Sequence, residues 1–148
     1  MRFMMFMIPQ EYQPDAPPEQ KAGEGFAPRP EAVAAMMKFN EDLAKAGALI
    51  SLDGLHPLAK GARVAFTSKT PTVTDGPYIK AKEVIGGYWL IDVKSKEEAI
   101  KWAKRVPAGA GNVLEVRQVF EVSEFPPDVQ KAAKNPTVQR QLEKQKKP

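Results

Sequence analysis

His56 is the only imidazole in the chain, and it stands directly before Pro57. An imidazole titrates near neutral pH, so His56 is the natural general base if a proton is to be moved. The same residue bonded to a loop carbonyl would be purely structural. Asp75, in Thr74-Asp75-Gly76-Pro77, is the carboxylate that would orient such a base, or else the first residue of a turn bonding its own backbone. Glu115 and Arg117 alternate with Leu114 and Val116, so they share the polar face of an apolar strand. A planar guanidinium binds a carboxylate through two parallel hydrogen bonds; an ion pair with Glu115, or across a dimer, is the other use of Arg117. Arg63 and Glu83 are further substrate-binding candidates. The expectation is acid–base turnover of an anionic organic substrate, by isomerisation or lactone chemistry. His56 is the base, Asp75 its partner and Arg117 the anion anchor. The alternative is a non-catalytic ligand-binding or regulatory module.

Composition narrows the field. The chain has 148 residues and no cysteine, which excludes a thiol nucleophile, a disulfide framework and a Cys-ligated metal. One histidine excludes a multi-His metal site within one subunit, and no cofactor or metal is expected. No segment approaches the roughly 20 apolar residues of a membrane span, so a cytoplasmic location and no membrane partner are the default. The net charge of +4 sits wholly in residues 126–148. The first 125 residues carry equal numbers of acids and bases, so specific nucleic-acid binding is not expected.

The elements that position these residues follow from pattern. Arg2–Ile8 is apolar on both sides, a strand buried on both faces. Pro9–Pro30 is a long polar loop, either a lid or an insertion. Pro30 opens a helix whose buried stripe reads Val33, Met36, Met37, Leu43 and Ala44, with Asn40 its one polar member; Gly47 stops it. Strands follow at Ala48–Leu55, Ala62–Thr67 and Thr72–Thr74. Asp75-Gly76-Pro77 forces a turn, with glycine read as supplying a positive φ. The loop carrying Asp75, Lys80, Lys82 and Glu83 then leads into the strongest strand, Val84–Val93. Ser95-Lys96-Glu97-Glu98 is a capping box for a second helix, with Ala99, Ala103 and Val106 buried and Pro107 the stop. The Gly-rich loop 108–112 lacks a phosphate-binding pattern. Val113–Val122 is the last strand, and residues 126–148 form a polar helical tail broken at Asn135-Pro136 and frayed from Gln139.

This order predicts an α+β domain over residues 1–125, ferredoxin-like βαββαβ with an inserted hairpin. Two helices cover one sheet face. Phe3, Met5, Ile85 and Trp89 are expected on the other, covered by a second subunit in a dimeric α+β barrel.

The run Thr74-Asp75-Gly76-Pro77-Tyr78, with Lys82-Glu83 and Gly86-Gly87-Tyr88-Trp89, resembles the DGPF subgroup of the YCII-related family. Gly47-Ala48-Leu49 through Gly54-Leu55-His56-Pro57, Lys94 to Ile100, and Glu115-Val116-Arg117 resemble it as well. The resemblance implies a homodimeric α+β barrel with a pocket holding a His-Asp pair, a small-molecule ligand and a sigma-factor link. The chain departs from the subgroup at Lys80 and Ala81, where an acid and a hydroxyl are usual.

Overall fold

The computed structural model describes every residue except Ser68 and residues 78–82 and 146–148. Lys80 and Lys82 of the charged loop therefore lie outside the described residues. The chain forms two compact units, Met1–Gln118 and a second from Val119 onward.

In the first unit, β1 (Arg2–Ile8), β2 (Leu49–Gly54), β5 (Gly87–Asp92) and β6 (Val113–Gln118) make an antiparallel sheet of order β2-β5-β1-β6. β3 (Ala62–Ala65) and β4 (Thr72–Asp75) form a separate two-stranded hairpin. Helices α1 (Pro30–Lys45) and α2 (Lys96–Ala103) lie in the β1–β2 and β5–β6 connections. The chain is thus an α+β fold with antiparallel sheets.

Local chemistry sets the helix ends. Pro30 occupies the first turn of α1, where its missing N–H is no loss. At the other end Gly47 adopts φ +69°, Ala48 N–H donates to Leu43 O at 3.0 Å and Gly47 N–H to Ala44 O at 2.9 Å. These two bonds satisfy carbonyls the helix would otherwise leave open. In α2 the Ser95 hydroxyl accepts from Glu98 N–H at 3.2 Å. The Glu98 carboxylate accepts from Lys94 N–H rather than from Ser95.

Directly opposed residues of antiparallel strands share a face. Phe3 opposes Ile91, and Met5 opposes both Trp89 and Val116. This face packs against Phe39 and Leu43 of α1 and Ala99 of α2 in one core. Phe39 and Trp89 meet edge to face at 5.8 Å. Arg105, stacked 4.2 Å over the Trp102 ring, reaches Asp42 of α1 at 2.8 Å.

Two expectations are corrected here. Phe3, Met5 and Trp89 are buried beneath the helices, not on an uncovered face; Ile85 precedes β5, which starts at Gly87, and is 39 % exposed. The face the helices leave open carries Met4, Phe6, Tyr88 and Leu90, half-buried, with Asp53, Glu115 and Arg117 exposed. The buried side of α1 is also rotated from the expected stripe: Phe39, Asn40 and Leu43 are buried, whereas Val33 and Met37 are exposed.

The last strand stops at Gln118, so Phe120 and Val122 lie beyond it and are exposed. In the second unit α3 (Pro127–Ala132) and α4 (Pro136–Gln145) break at Asn135, whose side chain caps α4 through Thr137 N–H and Val138 N–H. The segment from Gln139 to Gln145 is helical rather than frayed. Among the described residues no helix is long and apolar enough to cross a membrane.

Candidate functional site

A cleft of about 720 Å³ opens beside His56, a size typical of small-molecule sites. Its floor and walls are mostly apolar: Met7 of β1, Val33, Met36 and Met37 of α1, and Leu55. The exposed apolar side chains of α1 are thereby explained, since Val33 and Met37 face a cavity instead of the core. Polar groups are few: Glu11, Arg29, His56 and Asn112.

One wall is the loop between β1 and α1, and long-range bonds hold it. Gln13 bridges to residue 84 in both directions, its amide nitrogen donating to Val84 O and its oxygen accepting from Val84 N–H, each at 2.9 Å. Gln10 N–H donates to the Asn112 side chain at 2.9 Å. Tyr12 and Phe26 meet edge to face at 5.6 Å, and Ala16 is buried. The loop is a built wall. Burial, and secondarily the charge of Glu11, raise the Tyr12 phenol above its ordinary pKa.

The glycines of the central motif serve close approach. A Cβ on Gly86 would stand 2.5 Å from the Pro9 ring and 3.4 Å from Tyr12, so only glycine lets the loop wall press on the sheet. Gly86 N–H donates to Met7 O and its carbonyl accepts from Leu55 N–H. Gly76 is needed for space, not for a positive φ as expected: its Cβ would fall 1.6 Å from the Leu58 carbonyl oxygen.

His56 follows β2, exposed at the cleft, with Pro57 buried behind it. Asp75 ends β4 and is exposed; the adjoining Gly76 N–H donates to Gly61 O at 2.8 Å. No hydrogen bond or ion pair joins His56 to Asp75 within the chain. Arg63 opposes Thr74 in the hairpin, and Glu83 is exposed ahead of β5. Glu115 opposes Phe6 and Arg117 opposes Met4, on the sheet face away from Met7 and the cleft. On that open face the Tyr88 hydroxyl donates to Asp53 at 2.8 Å, and this bond is the main cause of its raised pKa.

Glu11, Tyr12, Arg29 and Asn112 escaped the sequence reading. The only signal was Tyr12 and Phe26, two aromatic residues in an otherwise polar loop. Among the described residues no group of three His, Asp or Glu side chains is placed to hold a metal ion.

A four-stranded antiparallel sheet with two helices against one face, and a mostly apolar cleft with one imidazole, define a small α+β domain with a candidate ligand site. The family model of the YCII-related domain matches residues 1–123, and the chain belongs to that family. No curated protein matches the sequence.

Proposed function

We propose that this chain, a YCII-related protein of the DGPF subgroup, is a small-molecule enzyme that moves a proton in the cleft beside His56. The observation that carries the reading is His56 itself: an exposed imidazole with no hydrogen-bond partner among the described residues, in the wall of a mostly apolar cleft. Such a group is open to substrate, and its ring nitrogens are free to accept or donate a proton. The substrate class is an anionic organic molecule, and the reaction class is isomerisation or lactone-type turnover. Asp75 is the orienting carboxylate, brought to the imidazole when substrate binds or when a second subunit docks. Apo geometry is often looser than the reacting complex.

The strand order supports a ferredoxin-like arrangement, and the half-buried open face supports pairing with a second copy in a dimeric α+β barrel. Glu115 and Arg117 lie on that face and fit a subunit contact better than a place in the cleft. Arg63, in the β3–β4 hairpin, and Glu83, ahead of β5, are further substrate-binding candidates. The absence of a His56–Asp75 bond in the single chain favours a second reading, a ligand-binding or regulatory module linked to sigma-factor signalling.

Proton abstraction can be detected without knowing the product. Enolisable 2-oxo acids and unsaturated lactones are incubated with the protein in deuterated water, and deuterium incorporation is followed by proton NMR. His56→Ala is expected to abolish exchange while leaving the circular-dichroism spectrum unchanged. Exchange by His56→Ala at the wild-type rate would end the catalytic reading in favour of the binding module.

A further inference from the structure

Arg29 is the one permanent cation among the described residues lining the cleft. It is the N-cap residue of α1, exposed, and its guanidinium makes no hydrogen bond or ion pair within the described residues. The other arginines near this unit's surface are committed or elsewhere. Arg105 pairs with Asp42, and Arg117 lies on the opposite sheet face. The same cleft is lined by the apolar side chains of Val33, Met36, Met37 and Leu55, and by His56.

We propose that the cleft binds a monocarboxylate with an apolar, ring-sized body, its carboxylate on Arg29 and its carbon skeleton against Val33, Met36, Met37 and Leu55. The inference rests on the enzymatic reading only for turnover; binding is a separate claim. Two points of chemistry select this class. A guanidinium fork matches the two oxygens of a carboxylate. A phosphate dianion would ask for more donors than one arginine and one imidazole, and Glu11 in the same wall opposes a second negative charge. The thioethers of Met36 and Met37 are polarisable and adapt to a flat apolar ring.

The chain's methionines report where a ligand sits. Met7, Met36 and Met37 line the cleft, whereas Met4 lies on the open sheet face. The probes are phenylacetate, its neutral amide and inorganic phosphate, titrated against methyl-labelled protein by NMR. Phenylacetate is expected to shift the Met36 and Met37 methyls and to leave Met4 in place. Arg29→Gln is expected to weaken it roughly tenfold to a hundredfold, the effect of losing a charge-assisted bond. Arg29→Lys should fall between, and Arg117→Gln should change nothing. Equal binding of the amide, undiminished binding to Arg29→Gln, shifts centred on Met4, or no binding of phenylacetate at millimolar concentration would each overturn the proposal. Phenylacetate binding that survives His56→Ala, with proton exchange absent from wild type, would uphold the ligand class while rejecting catalysis. An exchange-active wild type that ignores Arg29→Gln would do the reverse.

Discussion

The Tyr12 hydroxyl donates a 2.8 Å hydrogen bond to the carbonyl oxygen of Leu55, the residue before His56. The loop wall thereby holds the backbone from which the imidazole projects. Leu55 is tied on its other side too, since its N–H donates to Gly86 O at 2.9 Å. Tyr12→Phe removes one bond and no volume. Its effect on the melting temperature should be small, because a single hydrogen bond contributes about 0.5–1.5 kcal/mol. Its effect on proton exchange should be larger, on the order of tenfold to a hundredfold, because small misplacements of a reacting group are expensive in rate. The pH–rate profile should also move, which a merely structural loss would not cause. Unchanged exchange in Tyr12→Phe would show that the bond does not position His56.

The same phenol predicts an alkaline limit. Burial raises its pKa, so the folded chain keeps the hydroxyl protonated above the usual phenol value of about 10. A raised folded pKa means the stabilisation is complete below the unfolded value and is lost as pH climbs through the folded one. Cleft opening should therefore follow Tyr12 ionisation on the alkaline side. Ultraviolet titration of wild type against Tyr12→Phe, with parallel thermal melts, checks the order of events.

Asn40 is the one buried polar side chain of the core among the described residues, and it accepts a 2.8 Å bond from the Trp89 indole N–H. Asn40→Leu would strand that N–H in an apolar setting. The expected loss is about 1–3 kcal/mol, the desolvation of an unpaired donor. Adding Trp89→Phe removes the stranded donor at the price of a smaller ring. The double variant should accordingly lose less than the two single changes added together. Urea unfolding of the four proteins measures the coupling, and strict additivity would count against it.

What the sequence made legible was local. Pro30 and Gly47 bound α1 as read, and Ser95 caps α2, because each signal acts within a few residues of the backbone it satisfies. The short apolar run of Arg2–Ile8, ended by Pro9, located β1, although Met4 and Phe6 on its second face are only half-buried. The errors came where tertiary contacts decide. Phe39, not Met37, turned inward, because the loop wall created a cleft that exposes one apolar side of the helix. Val84 left the strand because Gln13, seventy-one residues away in sequence, takes both its backbone bonds. His56 was readable as the lone imidazole, but Glu11 and Arg29, from the β1–α1 loop, and Asn112, from the α2–β6 loop, share its cleft through contacts that no periodicity signals.

Acid should weaken α1 and its tie to α2. Glu41 is held below its ordinary pKa chiefly by its bond with Lys45, and Asp42 by its bond with Lys38, with Arg105 adding attraction. A depressed folded pKa means these contributions are present above the unfolded value and fade as pH falls through the folded one. Stability should decline below about pH 4, the ordinary carboxylate range. The pairs are exposed, so salt should shrink the effect. Melting curves of wild type and Glu41→Gln/Asp42→Asn across pH 2–7 should converge at the acid end; parallel curves would place the acid sensitivity elsewhere.

The open sheet face makes the last prediction. Met4, Phe6, Tyr88 and Leu90 line its middle, and Val113 stands exposed at its edge. Contiguous apolar surface of this kind is uncommon on a monomer and marks an interaction site. A second copy is the expected occupant, with Arg117 and Glu115 placed to pair across the contact. Specific interfaces bury roughly 1,200–2,000 Å², and removing apolar area of that order from water would hold a dimer at micromolar concentration. Leu90→Asp puts a charge in the middle of the face without touching the core around Phe39 and Ile91. It should convert the dimer to a folded monomer, seen as half the mass by light scattering with an unchanged circular-dichroism spectrum. Wild-type protein that stays monomeric at that concentration would sink the dimer and leave the face for a different partner.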